Sequence, residues 1–255
     1  MGISIKSVSE IEKMRRAGEV VAICHSRVQQ AISPGVTTGD LDSIVRDTIA
    51  EHGARSNFLG HHGFTGNICA SVNDEIVHGI PGKRRLNDGD IITVDIGAVV
   101  DGFHSDSAWT YAVGTISEDA RQLLTDTEAA LYEGIRQARA GNRLGAIGHA
   151  VEAYAASRGY GIVREYGGHG IGREMWEEPH IPNHGDSQRG IRLKRGMTLA
   201  IEPMLNLGTE DTQVMEDEWT VTTTDGSWSA HFEHTIAITD ADPIILTQRT
   251  GTMVD

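Results

Sequence analysis

The chain has 255 residues and a formal net charge of −14, with a hydrophobic fraction of 39% and a charged fraction of 23%, an ordinary balance for a globular protein. The negative charge argues against a nucleic-acid-binding patch, because phosphate contacts need clusters of Lys and Arg. No apolar run approaches the roughly 20 residues that a membrane-spanning helix requires. Two cysteines, Cys24 and Cys69, are too few for a disulfide framework, so we expect a cytoplasmic location.

Two amphipathic helices are the first predicted elements. Ser7-Val-Ser-Glu10 has the spacing of a capping box, and apolar residues at helical spacing follow it as far as Pro34-Gly35. A second helical pattern ends at Gly53. The β-branched residues 91–94 then predict a buried strand, and residues 107–113 predict a second strand.

The second half of the chain repeats this order of elements. Thr115-Ile-Ser-Glu118 resembles another capping box, and the helix that follows it should end near Gly141. The spacing of Gly141, Gly145 and Gly159 repeats that of Gly35, Gly39 and Gly53. Segments 86–95 and 193–202 both read Leu-x-x-Gly, then a strand, then an acid. We predict one catalytic domain, 1–255, built from two α+β halves, 1–114 and 115–255; common reuse of glycine turns is the alternative explanation of the echoes.

Four acidic residues stand where strands disfavour them. They lie in or beside apolar, strand-like sequence and are Asp95, Asp106, Glu202 and Glu233. A buried carboxylate without a partner is costly, so four of them together predict a shared cation. For any one acid taken alone, capping of a turn remains the alternative.

A histidine in a glycine-rich segment is the expected fifth ligand. His169 lies in Gly167-Gly-His-Gly-Ile-Gly172, where small neighbours let a ligand approach the backbone in a loop. One imidazole and four carboxylates suit Mn, Fe, Co or Zn. The chain has no CxxC pair and no HExxH motif, so a single-zinc site is unsupported. We therefore predict two divalent metal ions, which can activate one water between them.

The chain resembles the bacterial-type, type I methionine aminopeptidases of the pita-bread metallopeptidase family. The motifs that carry the resemblance are His78-Gly-Ile-Pro81, Val94-Asp95-Ile96, His104-Ser-Asp106, Gly168-His-Gly-Ile-Gly172, Ile201-Glu-Pro-Met204 and Phe232-Glu-His-Thr235. The resemblance extends over nearly the whole chain. It implies an α+β pita-bread fold, with two pseudo-symmetric halves around a central antiparallel sheet.

The resemblance also implies an activity and a set of site residues. A metal-bridged water would hydrolyse the N-terminal methionine from nascent polypeptides, preferably before a small second residue. The implied metal ligands are Asp95, Asp106, His169, Glu202 and Glu233. Glu202 would move a proton to the leaving amine, and His78 would contact the scissile amide. The implied partners are nascent N-termini and, transiently, the ribosome, and we expect a monomer.

A methionine pocket is implied at the family's substrate-binding positions. Its residues would be Phe58, His61, Phe64, Cys69, Met175 and Trp219, and His78 and Trp176 would be further substrate-binding residues. A soft aromatic cup suits an unbranched thioether, including sulfur–aromatic contacts. An ordinary role in the core is the alternative, above all for Phe58 and Met175.

One residue departs from the family pattern. Trp176 stands where the family usually has a histidine, and an indole can donate one hydrogen bond but cannot accept one or carry a proton. The departure leaves open a slow or specialised paralogue, or a non-catalytic peptide-binding member of the same fold, and His180 or His184 could compensate for it. A proline-directed peptidase is disfavoured, because those relatives are usually longer at the N-terminus.

Overall fold

The computed structural model describes residues 2–249 as four α-helices, one 3₁₀ turn and fifteen short to medium strands. The helices are α1 (Val8–Ala31), α2 (Thr38–Glu51), α3 (Glu118–Gln137) and α4 (Gly145–Ala156), and the 3₁₀ turn is His61–Gly63. The strands are β1 (Arg55–Ser56), β2 (Ile68–Val72), β3 (Glu75–Val77), β4 (Ile91–Val100), β5 (Phe103–Ala112), β6 (Gly161–Ile162), β7 (Gly167–Gly170), β8 (Glu177–Pro182), β9 (Thr198–Ile201), β10 (Met204–Asn206), β11 (Thr212–Val214), β12 (Val221–Thr223), β13 (Ser229–His231), β14 (His234–Ala237) and β15 (Ile244–Ile245).

The helix starts follow local capping chemistry. At α1 the predicted capping box is confirmed, because the Ser7 side chain accepts from the Glu10 N–H and the Glu10 carboxylate accepts from the Ser7 N–H. The predicted box at Thr115 is wrong, and the residue that caps α3 is Ser117, whose hydroxyl accepts from the Ala120 N–H. The Thr115 N–H instead donates to the Asp88 carboxylate at 2.8 Å, which holds Thr115 outside the helix.

The strands pair antiparallel in four sheets, as expected for the α+β class. In a four-stranded sheet, β4 pairs with β1, with β2 and with β5, its partner in a long hairpin. A five-stranded sheet has the order β15-β14-β9-β7-β8. These two sheets meet where the Asp106 N–H donates to the Thr235 hydroxyl at 2.9 Å and the Glu233 N–H donates to the Ala108 carbonyl at 2.8 Å. Strand β5 begins at Phe103, earlier than predicted, so His104-Ser-Asp106 lies inside the strand.

Matching turns occur in the two halves of the chain. The Gly35 N–H donates to the Leu86 carbonyl at 2.7 Å, and the Gly141 N–H donates to the Leu193 carbonyl at 2.9 Å. Both glycines have φ of +94°, a left-handed conformation that favours glycine over other residues. These equivalent contacts support the prediction of a duplicated α+β unit.

The apolar core runs through both halves. One cluster of buried side chains includes Val21 of α1 and Leu41 of α2 together with Leu131 of α3 and Ile201 of β9. Burial of this shared apolar surface, at roughly 25 cal/mol per Å², holds the β4–β5 hairpin and β9 in fixed positions. Within residues 2–249, the helices are too short or too polar to cross a bilayer.

Candidate metal centre

Two pairs of strands bring the four acids together. In the β4–β5 ladder Asp95 lies opposite Ala108 and Asp106 opposite Gly97, so the two acidic side chains are diagonal neighbours on one face. Glu202 directly follows β9 and Glu233 directly precedes β14, two strands that are themselves paired. Because β5 and β14 are hydrogen-bonded across the sheet boundary, the second acidic pair lies against the first.

Asp106, His169 and Glu233 form the centre of this group. Each offers one ligand atom, and the three atoms all lie within 4.8 Å of one another. The Asp106 and Glu233 side chains are buried. Glu202 flanks them, with its Oε1 3.6 Å from Nε2 of His169. The structure therefore brings together all five residues that the sequence suggested as ligands.

His169 belongs to strand β7, and its predicted position in a glycine loop is wrong. The neighbouring glycines instead allow close strand packing, since a Cβ at Gly168 would lie 2.2 Å from the Ala200 carbonyl oxygen. Nδ1 of His169 is 2.9 Å from the Gly170 carbonyl. A carbonyl can only accept, so Nδ1 carries the proton and Nε2 presents its lone pair to the acids.

Burial controls the charge state of these groups. It raises the pKa of Asp95, Glu202 and Glu233, and the neighbouring Asp106 charge raises each further. Burial also raises the pKa of Asp106 to about 7. In contrast, burial lowers the pKa of His169 to about 4, so its imidazole is neutral near pH 7.

The donor set fits divalent cations. One buried oxygen each of Asp95, Asp106 and Glu233 accepts no hydrogen bond from the described residues. A crowd of buried acceptors without donors is costly unless a cation neutralises it. Four carboxylates and one neutral imidazole are ligands that Mn, Fe, Co and Zn accept.

An apolar cup opens beside the metal centre. Its volume is about 340 Å³, and it is lined by Phe58, His61, His62, Phe64, Cys69, His78, Trp176 and Trp219. Phe64 and Trp219 meet edge to face, with ring centroids 5.0 Å apart. Met175 is buried in the same cluster but does not line the cup. His62 is a lining residue that the sequence did not indicate.

His78 and Trp176 form a neck between this cup and an open groove. Both line the cup and also a groove of about 750 Å³ that includes Tyr166, His169, His180 and Glu202. His78 has φ of +62°, a conformation that costs a non-glycine residue about 1–3 kcal/mol and persists where the surroundings enforce it. Trp176 is 45% exposed, and its ring lies 4.4 Å from that of His61. His184 lies outside the lining of both cavities.

One buried histidine next to the centre was missed from the sequence. Nε2 of His231 lies 3.7 Å from Oε2 of Glu202, and the His231 side chain is 2% exposed. Burial lowers the pKa of His231 to about 3. The only sequence signal is that His231 stands two residues before Glu233, whereas its approach to Glu202 depends on the pairing of β13 with β10.

Known proteins resemble this chain over almost its whole length. A model of metallopeptidase family M24 matches residues 12–240. The chain is 50% identical to "Methionine aminopeptidase 1" of Bacillus subtilis over 246 residues, which are 96% of this chain and 99% of the relative. It is 47% identical to "Methionine aminopeptidase 1" of Mycobacterium tuberculosis, over 95% of this chain and 94% of the relative.

Solved structures agree with these relatives. The crystal structure of methionine aminopeptidase from Thermotoga maritima superposes with a TM-score of 0.96 at 43% identity, covering 97% of this chain and 100% of that chain. A prolidase from Pyrococcus furiosus, at 22% identity and a TM-score of 0.79, covers 97% of this chain and 66% of its own. At that identity the second likeness concerns the fold alone.

Proposed function

The chain belongs to metallopeptidase family M24, and we propose that it removes the N-terminal methionine from nascent polypeptides. It is a divalent-metal-dependent aminopeptidase with the pita-bread fold. The observation that supports the proposed activity is a buried group of possible metal ligands, Asp106, His169 and Glu233, beside an apolar cup of about 340 Å³. A cup of that size and softness suits a methionine side chain.

Two divalent ions, Co, Mn, Fe or Zn, form the proposed cofactor. Asp95, Asp106, His169, Glu202 and Glu233 would hold them. When bound, the ions polarise the peptide carbonyl as Lewis acids and lower the pKa of water. The unpartnered oxygens of the centre support this assignment.

Glu202 is the proposed proton carrier. It lines the groove and its side chain is 14% exposed, so it faces both the metal centre and the substrate. Burial raises the pKa of its carboxyl, which suits a group that takes up and returns a proton. The proton would pass from the attacking water to the leaving amine.

His78 is the proposed contact to the scissile amide. Its place in the neck puts it where a peptide would pass from the cup to the groove. Burial lowers the pKa of His78, so a neutral ring is available to donate one hydrogen bond and accept another. The left-handed backbone at His78 supports a functional role, since strain of this kind is concentrated at functional sites.

The cup is the proposed binding site for methionine. Burial raises the pKa of the Cys69 thiol well above its usual value, so Cys69 is a neutral, polarizable wall rather than a nucleophile. The aromatic edges of Phe64 and Trp219 offer sulfur–aromatic contacts to a thioether. The free amino group of the first residue would lie at the metal centre beside the cup, which favours cleavage at the terminus.

We further propose that the enzyme acts as a monomer on chains that emerge from ribosomes in the cytoplasm. Nascent N-termini are the substrates that this activity requires. The two thiols among the described residues, Cys24 and Cys69, are free and buried, which suits a reducing compartment.

Metal-dependent turnover tests the proposed function. We expect protein stripped with a chelator to be inactive on Met-Ala-Ser and to regain activity with at least one of Mn²⁺, Fe²⁺, Co²⁺ and Zn²⁺, while binding two ions by metal analysis. Binding of the peptide without cleavage under all four ions would instead favour a non-catalytic binding protein.

Metal affinity should rise with pH. Because burial raises the carboxyl pKa values, to about 7 for Asp106, ions must displace protons from the centre below that pH. His169 is already neutral above its pKa of about 4 and releases none. We expect the apparent affinity for Mn²⁺ to rise about tenfold per pH unit for each proton released, between pH 5.5 and 7.5. Calorimetry in buffers of different ionisation enthalpy measures the released protons, and a flat affinity with no proton release would contradict this prediction.

A further inference from the structure

His231 is a buried histidine whose ring lacks a hydrogen-bond partner. The structure gives neither ring nitrogen a partner among the described residues. Each buried donor or acceptor that makes no hydrogen bond costs about 1–3 kcal/mol. Packing in the core therefore does not by itself explain a histidine at this position. The ring therefore needs a partner that the resting arrangement does not fully provide.

Contacts on both sides hold the backbone of His231 in place. The His231 N–H donates to the Thr110 hydroxyl at 2.9 Å, and that hydroxyl donates to the His231 carbonyl, also at 2.9 Å. On its other side His231 pairs with Met204 of β10. These contacts to β5 and β10 hold the His231 backbone, and with it the direction of the Cα–Cβ bond, in place.

The Glu202 carboxylate lies between two imidazoles. Its Oε1 is 3.6 Å from Nε2 of His169, and its Oε2 is 3.7 Å from Nε2 of His231. His169 has Nδ1 bonded to a carbonyl and presents a lone pair on Nε2. His231 has no such constraint, so its Nε2 can carry a hydrogen and donate it to the Glu202 carboxylate.

We propose that His231 is a positioning residue for Glu202. Its Nε2–H donates to Oε2 of Glu202, which leaves Oε1 directed toward His169 and the metal centre. The separation of 3.7 Å exceeds a hydrogen bond, but such contacts are often long before the site is assembled and shorten in the complex. The inference rests on the proposed function, because it assigns Glu202 to metal binding and proton transfer.

Two substitutions test this role. His231→Leu keeps a similar volume and removes the donor, whereas His231→Gln keeps an N–H donor. For each we would measure the Mn²⁺ dissociation constant by calorimetry, the unfolding midpoint of the metal-free protein, and kcat and KM on Met-Ala-Ser. Outer-shell partners of metal ligands contribute about 10–100-fold to affinity or rate, so we expect losses of that size in Mn²⁺ affinity and kcat for His231→Leu, with little change in KM.

The unfolding midpoint of the metal-free protein distinguishes a positioning role of His231 from a packing role. His231→Leu should unfold at the same or a higher temperature than the wild type, because it removes two unpaired buried nitrogens. His231→Gln should recover most of the lost affinity and kcat. This combination, weaker metal binding in a protein that is no less stable, supports the proposal.

Two results would overturn the inference while leaving the proposed function intact. One is wild-type Mn²⁺ affinity and kcat in His231→Leu. The other is equal impairment of the Leu and Gln variants together with a lower metal-free unfolding midpoint, which would mark a packing role. Failure of the wild type itself to bind Mn²⁺ or cleave the peptide would overturn the proposed function, and this inference with it.

Discussion

Asp106→Ala is expected to lower kcat/KM for Met-Ala-Ser by at least about 10³-fold, because metal ions contribute several kcal/mol of transition-state stabilisation and each 1.36 kcal/mol is a factor of ten in rate. Asp106 is 2% exposed and belongs to the group of three ligand atoms within 4.8 Å. Removing its carboxylate takes away one of the proposed metal ligands at the middle of the group. Metal analysis of the purified variant should find fewer than two ions per chain.

Asp126→Ala is a matched control for loss of a buried aspartate. Asp126 is also buried, but it accepts hydrogen bonds from Tyr154 at 3.1 Å and Tyr160 at 2.8 Å, in a separate network on α3. This variant should unfold at a lower temperature while keeping its metal content and kcat. If Asp106→Ala keeps two bound ions and most of its activity, or if Asp126→Ala loses both, the assigned centre is wrong.

The acids of the candidate metal centre could be found from the sequence because strands disfavour carboxylates in such apolar surroundings. Asp95 follows an apolar β-branched run, and Glu202 follows another at the equivalent place in the second half. Local structure does not explain a carboxylate in such a position, because strands disfavour acids and burial of an unpaired carboxylate is costly. The two α+β halves were predicted from a repeated pattern, in which Leu86 and Leu193 begin matching segments. The contacts of these leucines to Gly35 and Gly141 are equivalent in the structure.

Other features depend on contacts between distant parts of the chain. Helix α3 is capped by Ser117 and not by Thr115, because the Thr115 N–H donates to the carboxylate of Asp88, which lies just before β4. The approach of His231 to Glu202 depends on how β13 pairs with β10, and no local pattern sets that register. The neck at His78 likewise depends on the tertiary fold, because separate segments of the chain line the cup and the groove.

Trp176→His is expected to raise kcat on Met-Ala-Ser by about ten- to a hundredfold. The resemblance to the family implies a histidine at the position of Trp176, and loss of one donor to a developing oxyanion costs about 10²–10³ in rate. Its indole N–H can supply part of that interaction but cannot carry a proton. Since Trp176 is 45% exposed, the substitution should leave folding unaffected, and steady-state kinetics at saturating metal measures the gain.

Trp176→Phe is the matched variant, because it keeps an aromatic ring in the neck and removes the indole N–H. We expect it to be slower than the wild type if the indole donates to the substrate carbonyl. The ring also lies between the methionine cup and the groove that would hold the second residue. The ratio of kcat/KM for Met-Ala-Ser to that for Met-Val-Ser should therefore change more in Trp176→His than in Trp176→Phe. A Trp176→His enzyme that binds both ions and is no faster than the wild type would show that the indole, with His78 or His180 beside it, already supplies what the family's histidine provides.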